Sequence, residues 1–193
     1  MSISRSSLMT LEAYAAARQE FRARVIAHKR NRSVQLGEHV RLIFEDELTI
    51  RYQIQEMLRI EKTFESRGIQ DELDAYAPLV PDGTNLKATM MIEYDVEQER
   101  RAALAELRGI ERQVLIQVGD FAPVYAVADE DIERENDAKT SSVHFLRFEF
   151  DAPAIAAFRG GVPVAMGIDH PACTVEVGEI APQVQGSLVR DFA

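Results

Sequence analysis

Cysteine is almost absent from this chain of 193 residues, and Cys173 is the only one. An intramolecular disulfide is thereby excluded, as is a structural zinc or iron–sulfur site built on several thiolates of one chain. Tryptophan is missing altogether, and no stretch approaches the ~18 consecutive apolar residues of a membrane-spanning helix. The opening MSISRSSLMTLEAYAAARQEF lacks the long apolar run of a secretory signal, and Glu12 and Glu20 argue against an organelle-targeting peptide. A cytoplasmic protein is the simplest expectation. The sequence also holds no G-x-G-x-x-G, P-loop, H-E-x-x-H or G-x-S-x-G pattern. Gly160–Gly161 reads as a turn between helix and strand, and Cys173, ahead of TVEV, as a buried strand residue rather than a nucleophile.

What is present is the balance of a core-forming chain, with 46% apolar and 28% charged residues. The length suits a single domain spanning residues 1–193. The net charge is −10 and unevenly spread: residues 1–35 hold seven Lys/Arg against two Glu, and the remainder is strongly acidic. Such a basic segment can serve as a nucleic-acid arm. An acidic body repels phosphate, however, and no aromatic-rich basic motif accompanies the arginines. The favoured reading is a basic helix facing the protein's own acidic body or a protein partner, through Arg22, Arg24, Lys29 and Arg30.

Periodicity predicts a helix over Leu11–Arg30, with Leu11, Tyr14, Phe21, Val25 and His28 on one face and Thr10 as N-cap. A strand at Val40–Phe44 is followed by a second helix from about Asp46 to Glu65, ended or interrupted by Gly68. A short third helix runs to Pro78 and Pro81. After the turn signal PDGTN come a strand (Leu86–Tyr94), a helix ending near Gly109, and strands at residues 112–119 and 123–128. A strand at Ser141–Phe150, a helix over APAIAAF, strands over VPVAMGI and CTVEV, and a short C-terminal helix complete the chain. Residues 1–80 thus lean helical and 84–193 lean β. The expected class is α+β, with N-terminal amphipathic helices packed on a largely antiparallel sheet.

Candidate site residues follow from this layout. Residues 44–62, FEDELTIRYQIQEMLRIEK, concentrate acidic groups on a helix, and helical glutamates can bind metals. The di-iron pattern also needs Glu-x-x-His pairs, and the chain has none. Glu47 and Arg51 stand at ion-pair spacing. The plain reading is an amphipathic helix with a solvated charged face; the sharper one places Gln53 and Glu56 in a polar pocket or metal site. His28, on an apolar helix face, reads as a packed or interface histidine, and His39 as a loop residue. His144 shares one strand face with Leu146, Phe148 and Phe150 and must find a hydrogen-bond partner there. Asp169 and His170, in GIDHP at a strand end, could supply ligands or an acid–base pair. The acidic run Asp129, Asp131, Glu133 begins like a calcium loop, but Arg134 stands where glycine is needed and Thr140 where glutamate is needed.

EFRARVIAHKRNRSVQLGEHVRLIFEDELTIRYQIQEMLRIEK, together with VHFLRFEF and GIDHP, resembles the pattern of an uncharacterised bacterial family, domain-of-unknown-function family number 3501. The resemblance covers nearly the whole chain, and LTIRYQIQEMLRIEK is its most specific part. It implies an accessory role beside rubrerythrin-like proteins or iron–sulfur oxidoreductases, and it supplies no catalytic residues.

Two readings result. The first is a non-catalytic binding or accessory protein, monomeric or homodimeric, that meets a redox partner through the basic helix. The second is a metal-dependent enzyme or metal-binding redox protein. Its divalent ion (iron, manganese or zinc) would be held by Glu56, His144, Asp169 and His170, with Gln53 and Arg59 behind them. A nucleic-acid role ranks last.

Overall fold

The computed structural model describes residues 3–128 and 139–193. The acidic run from Asp129 to Glu133 lies outside the described residues. The fold is α+β, and every strand pairing among the described residues is antiparallel.

The N-terminal half begins with α1 (Leu11–Arg30), whose first turn is closed by Thr10: its hydroxyl accepts the Ala13 amide at 3.3 Å. After α1 the chain forms the hairpin β1 (Ser33–Leu36) and β2 (Val40–Phe44). β1 is four residues long and absent from the sequence expectation, because SVQL is too short for alternation to stand out.

α2 (Glu47–Glu61) opens on a reciprocal cap: Asp46 accepts the Thr49 amide at 3.0 Å, and Thr49 accepts the Asp46 amide at 2.9 Å. It closes at Lys62, which takes the left-handed conformation at φ 55°. Gly68 therefore does not end this helix; it lies inside α3 (Ser66–Tyr76). β3 (Asn85–Ile92), α4 (Glu97–Glu106), β4 (Val114–Val118), β5 (Val124–Tyr125) and β6 (Val127–Ala128) follow. The chain continues with β7 (Val143–Glu149), α5 (Ala152–Arg159), β8 (Val164–His170), β9 (Cys173–Glu179) and α6 (Pro182–Leu188).

The strands form two sheets, ordered β1-β2-β3-β7-β6 and β5-β4-β8-β9. Residues 123–128, expected as one strand, instead give β5 and β6, one to each sheet: β5 pairs with β4 and β6 with β7, while the Ala126 amide donates to the Val114 carbonyl. The inner faces share one core that includes Leu42, Leu86, Phe148, Ile116, Met166 and Phe158. Each fully buried Leu, Ile or Phe contributes roughly 1.5–3 kcal/mol from burial. β7 is interior to its sheet, with His144, Leu146 and Phe148 turned inward as the alternation requires.

The helices α1, α2 and α3 form a separate layer with its own apolar clusters. Tyr14, Phe21 and Val25 of α1 meet Leu48 and Tyr52 of α2. Ile50, Ile54 and Leu58 of α2 meet Leu73 of α3.

Candidate functional site

Glu56 is committed to holding the helical layer together. Arg18 grips its carboxylate with two bonds of 2.7 and 2.8 Å, Tyr14 donates at 2.6 Å, and Arg59 stands 3.3 Å away. Arg18 first, then Tyr14 and Arg59, hold the Glu56 pKa at about 2, against the opposing effect of desolvation. Burial, with the same hydrogen bond, pushes the Tyr14 phenol upward. This is a closed ion-pair network, with Arg59 as one of its members.

His144 is fully buried and engaged elsewhere. Its Nε2 lies 2.9 Å from the Thr140 hydroxyl, 3.0 Å from the Ser141 carbonyl and 3.9 Å from Glu111. His170 is also buried, with Nε2 3.0 Å from the Arg108 carbonyl, while its Nδ1 accepts the Ala172 amide at 3.2 Å. Asp169 is its neighbour on β8 and so points to the opposite, exposed face, within 3.5 Å of the Tyr125 hydroxyl. The structure thus does not bring Glu56, His144, Asp169 and His170 together. Among the described residues no group of three or more His, Cys, Asp or Glu side chains is arranged to hold a metal ion.

Of the basic residues on α1, Arg22, Arg24 and Arg30 are exposed, and Arg24 covers the Phe21 ring at 5.0 Å. Lys29 turns inward, 4.0 Å from the buried Glu45. Gln53 lines a cavity beneath α2, away from Glu56.

The strongest constellation lies where the end of α1, the start of α2 and the C-terminal segment converge. Arg32 is 1% exposed. It donates to the Phe44 carbonyl at 2.9 Å, the Glu45 carbonyl at 3.0 Å and the Ser187 carbonyl at 3.3 Å, and it bonds the Asp191 carboxylate. The Asp46 carboxylate is 3.6 Å from the same guanidinium. On its outer side, Asp46 Oδ2 lies 2.5 Å from His28 Nε2.

The two carboxylates respond oppositely to this shared cation. Burial opposes ionisation of Asp46, but Arg32, the Thr49 amide and His28 together hold its pKa below the ordinary value. At Asp191 burial prevails over Arg32 and raises the pKa to about 6. Carboxyls whose ionisation is pushed apart in this way are suited to acid and base roles near neutral pH.

These groups border an open cleft of about 440 Å³. His28, Asp46 and Asp191 meet Arg51 and Arg190 there, with the 80–83 loop opposite. The Arg51 Nε is buried without a hydrogen-bond partner among the described residues. Gly83, at φ +105°, lets the C-terminal segment close the cleft: a Cβ there would stand 2.7 Å from the Ala193 Cβ.

Sequence reasoning placed His28 on the apolar face of α1 and did not pair it. Asp46 carried one usable signal, an acidic residue immediately before a helical repeat. Arg32 and Asp191 stand 159 positions apart, and no periodicity links them.

The architecture defines an α+β protein with a two-sheet core, a helical layer and a mixed-charge cleft between that layer and the C-terminal segment. The chain belongs to the family described as Protein of unknown function (DUF3501), whose model it matches over residues 2–192. It is similar to a crystal structure of a novel protein of unknown function from Burkholderia pseudomallei K96243, with 57% identity, a TM-score of 0.96 and 100% of both chains covered. No curated protein matches the chain. No helix among the described residues is long and apolar enough to cross a membrane.

Proposed function

We propose that this is a binding protein for a small molecule carrying a carboxylate together with an amine or hydroxyl group, received in the cleft beside His28. The observation that carries this reading is the pair Asp46 and Asp191 on one buried arginine, with oppositely shifted ionisation, beside a histidine at an open cleft. Arg51 and Arg190 offer donors to a carboxylate, and the Asp46–His28 pair meets a proton-bearing group. The cleft volume of about 440 Å³ falls in the range of small-molecule sites, about 300–1,000 Å³. Proton exchange through Asp191 gives the site a capacity for acid–base chemistry.

The binding part of the accessory-protein expectation is retained here. The metal-centre alternative is disfavoured because its four residues are separately engaged and do not converge.

The test is a titration of the protein with amino acids and hydroxy acids, following the His28 ring signals by NMR. Acetate and methylamine serve as one-group controls. A saturable shift for a two-group compound, weakened about tenfold or more in His28→Gln with the fold intact, supports the reading. Failure of every two-group compound to move the His28 signals at millimolar concentration refutes it.

A further inference from the structure

A second cavity, of about 250 Å³, lies between α2 and the outer face of the five-stranded sheet. Its polar side is formed by Lys29, Glu45, Gln53 and Thr89, and its apolar side includes Met91 and Phe145. Glu45 is 6% exposed. One of its carboxylate oxygens accepts the Thr89 hydroxyl at 2.7 Å. The other has Lys29 Nζ at 4.0 Å, too long for a hydrogen bond. The Gln53 amide has no hydrogen-bond partner among the described residues. The Lys29 ammonium and the Gln53 amide are half-buried and, with the free oxygen of the buried Glu45, keep donor and acceptor capacity open to a ligand in one small space.

We propose that this cavity is a ligand site for a small neutral molecule with a carboxamide or hydroxyl head and an apolar body. The head must both donate and accept, because it inserts between Glu45 and Lys29 and faces the Gln53 amide. Net charge on the ligand is disfavoured, since the opposite charges of Lys29 and Glu45 already offset each other and either sign would leave one of them opposed. The apolar body packs on Met91 and Phe145. The site is separate from the His28 cleft and does not depend on the function proposed for that cleft.

The test uses benzamide and benzyl alcohol as probes, with toluene, benzoate and benzylammonium as comparisons, read by amide NMR shifts of the whole chain. Saturable shifts centred on Thr89, Met91 and the Gln53 side-chain amide are expected, with benzamide binding at least about tenfold tighter than toluene or either charged compound. Val143→Phe, which projects a larger side chain into the cavity, should abolish these shifts while circular dichroism stays unchanged. Met91→Phe is the second filling variant, used if the first does not fold. Gln53→Leu should weaken benzamide and leave toluene unaffected. The proposal is overturned by an absence of saturable shifts, by shifts centred outside the cavity, by equal binding of neutral and charged probes, or by undiminished benzamide binding in a folded cavity-filling variant.

Discussion

Replacing Arg32 with methionine removes the guanidinium that bonds Asp191 and faces Asp46 while keeping an unbranched side chain of similar reach. Three carbonyls, of Phe44, Glu45 and Ser187, lose a donor, and Asp191 loses its bonded partner. Breaking a buried ion pair from one side costs about 3–5 kcal/mol, because the remaining charge is left without compensation. Asp191 limits the loss by taking up a proton: its pKa is already raised to about 6 by burial, and without Arg32 it rises further. The expected loss is therefore about 3–5 kcal/mol at neutral pH, a large part of the ~5–15 kcal/mol that stabilises a typical domain. At about 2–4 °C per kcal/mol for a chain of this size, the melting temperature should fall by roughly 6–20 °C. Urea denaturation followed by circular dichroism measures the loss directly. Adding Asp191→Asn to Arg32→Met should recover about 1–3 kcal/mol, since it removes the orphaned carboxylate. A loss below about 1 kcal/mol, or strict additivity of the two substitutions, would refute the assignment of Arg32 as the shared counter-charge.

Asp191→Asn should also change the pH profile. The folded-state pKa of about 6 lies above the ordinary 3.8, so the folded protein holds this proton more tightly than the unfolded chain does. The Asp191 contribution to stability therefore declines as pH rises between those values, and urea midpoints measured across that interval should decline less in the variant. Glu56→Ala leaves the Tyr14 hydroxyl buried without its acceptor and should cost about 1–3 kcal/mol in the same assay. Because the Glu56 pKa is lowered from 4.5 to about 2, its contribution is complete above 4.5, and the gap between wild type and variant should shrink as pH falls toward 2. Gly83→Ala places a Cβ 2.7 Å from Ala193 at a φ of +105°. It should cost about 1–3 kcal/mol and speed hydrogen exchange at the Phe192 and Ala193 amides, and unchanged exchange there would count against close packing of the C-terminal segment.

The sequence made the helices and most strands legible because each had a local signature. Thr10 stands before a regular apolar repeat, Asp46 before another, and VHFLRFEF alternates cleanly. Two features escaped because they are not local. The division of the strands into two sheets depends on residues 124–128 changing partner midway, and neither PVYAVA nor its neighbours record that change. The cleft depends on Arg32 reaching Asp191, and a lone arginine after a basic helix looks like any solvated arginine. The candidate metal residues failed to converge for a reason partly visible in advance. Asp169 and His170 are adjacent in a strand and must face opposite ways. Glu56 lies in the same helix as Arg59, and its tie to Arg18 came from α1, which periodicity alone could not dock.

The same alternation explains why two sites can stand back to back here, and it gives a final prediction. Glu45 leaves β2, and Asp46 follows in an extended conformation, φ −148°, so their side chains diverge. Glu45 enters the cavity beneath α2 and Asp46 the cleft. On the facing turn of α1, Lys29 and His28 divide in the same way. Arg32 bonds the Glu45 carbonyl and faces the Asp46 carboxylate, so it fixes the orientation of both at once. Asp191 touches only the cleft side. Arg32→Lys keeps the charge but loses the planar fork that reaches several acceptors together. It should therefore shift the His28 ring signals and also weaken benzamide binding about fivefold or more, whereas Asp191→Asn should shift the His28 signals alone. Unchanged benzamide affinity in a folded Arg32→Lys protein would mean that the 45–46 backbone holds its geometry without the guanidinium, and that the two sites are neighbours without being coupled.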